Sequence, residues 1–237
     1  TNVKLAKDIA LSIREKGRLK RDELGNKIVG ADGKAERVDG LFKHVQATGW
    51  LIPEYNRAQI TMNILDINET PLHLVYDKCC ELANKLGCRV TGSEVVGMLP
   101  KKVLLDAGIY FLSKQQSTTG VSQEEIIRNA IMSLGLDDVA AFDPQQKIIE
   151  LQFAKKAPLV AMTIKNFVNE LASNSPAPGG GSVAALAGSL SAALSSMVAV
   201  LTFGKKGYED VNEQMQTIGN NAQRLQNTLL ELIDEDT

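Results

Sequence analysis

The long run of chain between Leu171 and Gly204 carries no charged residue. Its length raises the question of a membrane span. Alanine, glycine and serine dominate it rather than leucine and isoleucine, so its drive to insert is weak and no membrane span is expected. Residues this small instead permit close backbone contact. Ala184, Gly188, Ala192 and Ser196 recur at every fourth position, a small stripe against which another helix can press. Downstream, Tyr208, Val211, Met215, Ile218, Ala222, Leu225, Leu229 and Leu232 alternate spacings of three and four, the pattern of a heptad seam. A short turn near Lys205-Lys206-Gly207 would join the two, which predicts helix packed on helix in a bundle.

The part before this run has another character. Residues 2–16 put Ala6, Ile9, Ala10 and Ile13 on one helical face, with Gly17 where a C-terminal cap is expected. From 58 to 65 the chain alternates, with Ala58, Ile60, Met62 and Ile64 on one side and Gln59, Thr61 and Asn63 on the other: a half-buried strand. The run Val45–Ile52 can pair with it across a turn containing Pro53. Thr70 and Pro71 open a helix as N-cap and first position, kept apolar on one face by Leu72, Val75, Tyr76, Cys79, Ala83 and Leu86. Residues 88–97 predict a further strand, Pro100 opens a helix to about Leu112, and Ser122 with Glu125 forms a capping box for a helix that ends at Gly135.

Strands alternating with helices give layers of helix on sheet. The fold class expected is therefore α+β, a helix-on-sheet subdomain over 1–157, followed by an all-α helical-bundle piece over 163–237, with 158–162 as linker. At 237 residues the chain is longer than one average core needs, in keeping with two pieces. It starts at Thr1 on a helical pattern and stops inside another without a cap, so we expect an internal fragment of a longer polypeptide.

Lysine plus arginine (26) nearly balances aspartate plus glutamate (28), leaving no overall field to gather nucleic acid, and no nucleic-acid partner is expected. The local basic stretch from Arg14 to Arg21, followed by Gly25, Gly30, Gly33 and Gly40, has no interleaved aromatics and suits a solvated loop. Cys79, Cys80 and Cys88 match neither a zinc spacing nor a disulfide framework; packing thiols in a reducing, cytoplasmic setting are expected, with no metal. Two glycine features point toward ligands or close backbones. Gly92, inside an expected strand, admits either. Gly179, Gly180, Gly181 and Ser182 precede the first long helix, where successive free N–H groups at a positive dipole end can seat an anion; a flexible linker fits the same residues.

Three blocks at matched spacing carry a resemblance: Tyr55 to Asn63, Thr70 to His73, and Gly92 to Pro100 run in the order seen in formiminotransferases. Ala177 to Ala185, with its Pro178-Gly179-Gly180-Gly181-Ser182, resembles the signature that opens the formiminotetrahydrofolate cyclodeaminases. The succession resembles the bifunctional formiminotransferase-cyclodeaminase family. That resemblance implies transfer of a formimino group from formiminoglutamate to tetrahydrofolate, then ring closure to 5,10-methenyltetrahydrofolate with loss of ammonia. It implies tetrahydrofolate as a co-substrate, polyglutamylated, and a ring-shaped homo-oligomer that passes it between sites, with Lys205 and Lys206 as candidates for holding the tail.

The transferase stretch resembles the second of two subdomains that face each other across a tunnel. Gln59, Ser93 and Glu94, polar groups at the resembling motifs, are candidates to line it. The family's general-base histidine belongs to the first subdomain and matches neither His44 nor His73, which we take as structural; the chain by itself is therefore expected to lack transferase activity. The cyclodeaminase proton donor falls, by resemblance, on Asp236. Independently, the seam through Leu225, Leu229 and Leu232 lands on 236, where packing would favour an apolar residue, whereas Asp234 falls off it and can face water. A reading from another class is a non-catalytic folate-binding or oligomer-forming scaffold of the same family.

Overall fold

The structure is a computed structural model and describes residues 2–153 and 157–235. The chain is mixed α/β with a helical C-terminal part, and among the described residues there are two sheets, each a pair of antiparallel strands. It divides into two compact units, Thr1–Val96 with Leu134–Phe142, and Gly97–Ser133 with Asp143–Thr237.

In the first unit, α1 (Val3–Ile13) starts where the Asn2 side chain accepts hydrogen bonds from the N–H groups of Lys4 and Leu5. β1 (Arg18–Leu19) and β2 (Arg37–Val38) pair at the base of the basic stretch, which is largely exposed; Arg18 reaches back to Asp8 at 2.8 Å. This is a solvated loop tied to the helix. β3 (Val45–Ile52) and β4 (Arg57–Ile64) form the expected hairpin, with Val45 opposite Ile64 and Ile52 opposite Arg57. α2 (Leu72–Lys85) joins α1 on it. Ile9, Ala10 and Ile13 from α1, Val45 and Ala47 from β3, and Val75, Cys79 and Ala83 from α2 make the core, with Ile60, Met62 and Ile64 packed against it. Burial, with Cys80 beside it, pushes the Cys79 thiol up to about 12, so this sulfur is a packing group and not a nucleophile.

Two local expectations fail here. Thr70 does not cap α2: Pro71 occupies the N-cap, and the buried Thr70 hydroxyl donates instead to the Lys43 carbonyl at 2.7 Å. Residues 88–97 form no strand. Within them Ser93 bonds instead to the turn after the helix ending at Leu134: its N–H donates to the Gly135 carbonyl at 2.9 Å, and its hydroxyl to the Leu134 carbonyl at 2.6 Å. The hairpin ladder is not extended by them. Gly92, at φ +148°, is where the two segments meet, since a Cβ there would lie 2.8 Å from the Asp138 Cβ. The close approach it permits is by other protein.

In the second unit, α3 (Lys101–Lys114) and α4 (Gln123–Leu134, its last residue in the first unit) match the expected helices, and Ser122 Oγ accepts from the Glu125 N–H at 3.2 Å. The short helices α5 (Pro144–Lys147) and α6 (Ile149–Gln152) follow, with Ile148 bridged in parallel to Leu99. α7 (Ile164–Leu171) starts on Thr163, whose hydroxyl accepts from Asn166 N–H. α8 (Gly180–Thr202) and α9 (Asn212–Glu235) then lie side by side. Ser182 meets Ile233, Gly188 meets Leu229, and Ser196 meets Gln223, so the pair is antiparallel. By length and composition α8 could cross a membrane. What it buries against α9 is small and hydroxylated.

The faces are rotated from those expected. α8 buries Ser182, Ala185, Ser189, Ala192, Ser196 and Ala199, while Ala184 is exposed. A strict spacing of four drifts by about 40° per step around a helix, whereas alternating three and four stays on one face. On α9 Gly219, Ala222 and Ile233 are buried and Met215, Gln226 and Leu229 half-buried in line with them, with Leu225 and Leu232 exposed at 51% and 41%. Both seams share Met215, Ala222 and Leu229; glycine at 219 and glutamine at 226 hide the true one from a search for apolar residues. Loop residue Gly120 sits against Gly219, and its carbonyl accepts from the buried Ser196 hydroxyl at 3.1 Å.

Gly188 still serves close contact: a Cβ there would come 3.1 Å from Leu229 Cδ1. Gly188→Leu in the intact protein is expected to cost about 1 to 3 kcal/mol through overpacking. The check is a melting curve; an unchanged midpoint would mean that α8 and α9 do not meet at this position.

Candidate functional site

Three segments converge at one end of the α8–α9 pair. The glycine-rich turn reaches α8 through a cis Ala177-Pro178 bond, and Gly179 is the N-cap. Around Gly179 and Gly180 a Cβ would meet open space, and Gly181 is exposed, so this helix start is accessible. Ser182 differs from its neighbours. It is fully buried, and its hydroxyl donates to the Ile233 carbonyl at 2.9 Å, near the end of α9. The third segment is the turn at 157–162. Asp234 holds it with both oxygens: Oδ1 accepts from Leu159 N–H at 2.8 Å and Oδ2 from Val160 N–H at 3.2 Å. Leu159, Phe167, Ala185 and Ile233 pack beneath these bonds as one apolar cluster.

Asp234, off the expected seam, is half-buried, and its carboxylate is taken up by backbone N–H groups. A carboxylate with two lone-pair directions satisfies two successive backbone N–H groups, as an N-cap does within one helix, and here it does so across 75 residues. Asp236 lies outside the described residues. The candidates Gly179, Gly180, Gly181 and Ser182 are therefore joined to the end of α9 by the Ser182 bond.

The transferase candidates are more scattered. Gln59 lies on β4 opposite Trp50, on the hairpin face away from α1 and α2. Trp50 Nε1 donates to Thr61 Oγ1 at 2.7 Å, and Thr61 Oγ1 to Gln59 Oε1 at 3.4 Å, a polar row along that face. Ser93 spends its hydroxyl on the Leu134 carbonyl, Glu94 is exposed, and no hydrogen bond joins either to Gln59. Sequence reading passed over Trp50, half exposed beside Gln59; the signal available was cross-strand register, which puts the two opposite each other. His44 pairs with Glu69 at 2.9 Å and His73 is buried at the start of α2, which are structural placements. Among the described residues no group of three or more His, Cys, Asp and Glu could hold a metal ion.

Residues 1–154 match the family described as the formiminotransferase domain, and residues 163–237 match the one described as formiminotransferase-cyclodeaminase. The chain belongs to the formiminotransferase-cyclodeaminase family. Within this family it is 37% identical to the formimidoyltransferase-cyclodeaminase of Gallus gallus over 236 residues, covering 98% of this chain and 40% of that protein. It is 36% identical to that of Rattus norvegicus over 231 residues, again 40% of the relative. A shorter match, 43% identical over 74 residues, is to the methenyltetrahydrofolate cyclohydrolase of Methylorubrum extorquens, covering 31% of this chain and 36% of that protein. The chain spans 40% of the length of the first two relatives.

Proposed function

We propose that the intact protein transfers a formimino group from formiminoglutamate to tetrahydrofolate and then closes the ring to 5,10-methenyltetrahydrofolate, releasing ammonia. The observation that carries this reading is the tandem of family matches in one chain, transferase before cyclodeaminase. In it, residues 1–157 are the second transferase subdomain, an α+β layer, 158–162 link it onward, and 163–237 open an all-helical cyclodeaminase bundle. The open hairpin face with Gln59 lines the transferase site, and Ser93 and Glu94 border it.

In the second reaction the attacking folate nitrogen bonds to the formimino carbon, and the amine on that carbon must leave. Ammonia is a far better leaving group than its anion, so a proton must be delivered to that nitrogen. Asp236 is the proposed donor. It stands three residues beyond Ile233, the next step of the spacing that runs through Leu229 and Ile233. The accessible N–H groups at Gly179–Gly181 suit an anionic part of the folate.

The co-substrate is proposed to be polyglutamylated, with the exposed Lys205 and Lys206 near its tail, and no metal takes part. A cytoplasmic homo-oligomer working in histidine degradation, with no membrane or nucleic-acid partner, completes the reading. It is supported by the Cys79 thiol buried in the apolar core of the first unit and by an α8 that packs on α9 through buried serines. The intact protein, given formiminoglutamate and tetrahydrofolate, is expected to form glutamate and ammonia. The competing scaffold reading expects folate binding in a titration with neither product.

A further inference from the structure

We propose that the open face of the β3–β4 hairpin binds the aminobenzoyl-glutamate half of the folate, with Trp50 against the benzoyl ring, Gln59 on its amide and Arg57 on the glutamate carboxylate. The inference rests on the proposed place of this face in the transferase site, and it names the part of the co-substrate held there. The order of side chains across the two strands carries it. Trp50 stands opposite Gln59, and the next pair on the same face, nearer the turn, is Ile52 opposite Arg57. The other face of the hairpin is occupied by the core with α1 and α2.

Trp50 is set among threonine and glutamine and is 52% exposed, so half of a large apolar ring is left in solvent. Its polar handle is already used. Nε1 donates to Thr61 Oγ1 at 2.7 Å, a bond in the plane of the ring that fixes the tilt of the indole and leaves its face for another flat group. Thr61 in turn donates its hydroxyl to Gln59 Oε1 at 3.4 Å. The Gln59 amide then has its oxygen occupied and its N–H groups available, which suits a carbonyl acceptor. Arg57 is exposed and is the one charged side chain among the described residues of this face; it makes no ion pair with Glu54 of the adjoining turn or with any other described acid.

A flat ring joined through one amide to a carboxylate fits this order. Trp50 and Arg57 are diagonal neighbours across the strands, a separation of about 7 Å that aromatic and long side chains span. A guanidinium meets a carboxylate with two parallel bonds, and here no acid competes for it. Formiminoglutamate has carboxylates but no ring, so it satisfies Arg57 and leaves Trp50 bare. The pterin is flat but carries no anion, so it satisfies Trp50 and leaves Arg57 bare. The aminobenzoyl-glutamate half uses both.

The test titrates the intact protein by calorimetry with p-aminobenzoylglutamate and with p-aminobenzamide, which lacks the carboxylate. Trp50→Leu is expected to weaken both about tenfold, the size of one good aromatic contact. Trp50→Phe keeps a ring and stays within about threefold of the parent. Arg57→Gln weakens p-aminobenzoylglutamate about tenfold and leaves p-aminobenzamide as it was. In the glutamate-forming assay Trp50→Leu raises KM for tetrahydrofolate, while KM for formiminoglutamate stays within about twofold. Parent affinity for both probes in Trp50→Leu, or for p-aminobenzoylglutamate in Arg57→Gln, overturns the inference. So does an equal loss in Trp50→Leu and Trp50→Phe, which would make the residue a prop of the hairpin, or a parent protein that binds neither probe. The titrations need no turnover, so a parent that binds both probes but forms no glutamate counts against the proposed transfer and not against this site.

Discussion

Asp236→Asn in the intact protein is expected to slow ammonia release by about a hundred- to ten-thousandfold, the usual cost of losing a general acid. Glutamate formation should continue, because only the second reaction needs that proton. Formiminotetrahydrofolate would then accumulate in a protein that still consumes formiminoglutamate. Asparagine keeps the size and hydrogen-bonding capacity of the side chain and removes only the titratable proton, so a large fall reads chemistry and not packing. Ammonia and glutamate are followed separately. Ammonia release at the parent rate would mean that the proton comes from elsewhere.

Gly108→Ala should have the largest effect on stability among the helix contacts. In α3, a Cβ at position 108 would lie 2.1 Å from the backbone carbonyl oxygen of Ile126 in α4, and 2.6 Å from that residue's Cγ2. No side-chain rotation relieves a clash with a carbonyl, so one helix must move. Overpacking of this kind costs about 1 to 3 kcal/mol and more where backbone must shift. Alanine recovers at most about 1 kcal/mol through helix propensity. A net loss of about 2 kcal/mol lowers the melting midpoint by roughly 4 to 8 °C in a chain of this size. A raised midpoint, the result expected at an exposed helical glycine, would contradict the close crossing of α3 and α4.

The elements that sequence made legible are those whose pattern comes from a single strong periodicity. α1, α2 and the β3–β4 hairpin follow from apolar residues at spacings of 3.6 and 2, and the hairpin register follows from the turn at Pro53. Residues 88–97 failed because alternation describes a strand's faces, while a strand also needs a ladder partner, and here the backbone of Ser93 bonds to Gly135 instead. The α8 and α9 faces failed for another reason. Where helices touch through glycine, alanine and serine, the covered side is not the most apolar one, so Leu190, Leu194 and Leu201 on α8 and Leu225 and Leu232 on α9 stay exposed while Ser189, Ser196 and Gly219 are buried.

The site was legible in part. The glycine-rich turn stood out, but nothing local in the sequence could show that Ser182 bonds to Ile233, or that Asp234 caps a turn 75 residues away. Both are long-range pairings of ordinary polar groups, invisible to spacing. Gln59 is a candidate through its motif alone, and that Trp50 stands opposite it requires the hairpin register.

The central claim is that one protein performs two successive reactions on one folate. A single-turnover time course of the intact protein with formiminoglutamate and tetrahydrofolate tests it most directly, with glutamate and ammonia measured in the same samples. Glutamate should appear first, and ammonia should follow to one equivalent per glutamate. Tight folate binding with neither product, or glutamate with no ammonia from the parent protein, would contradict it.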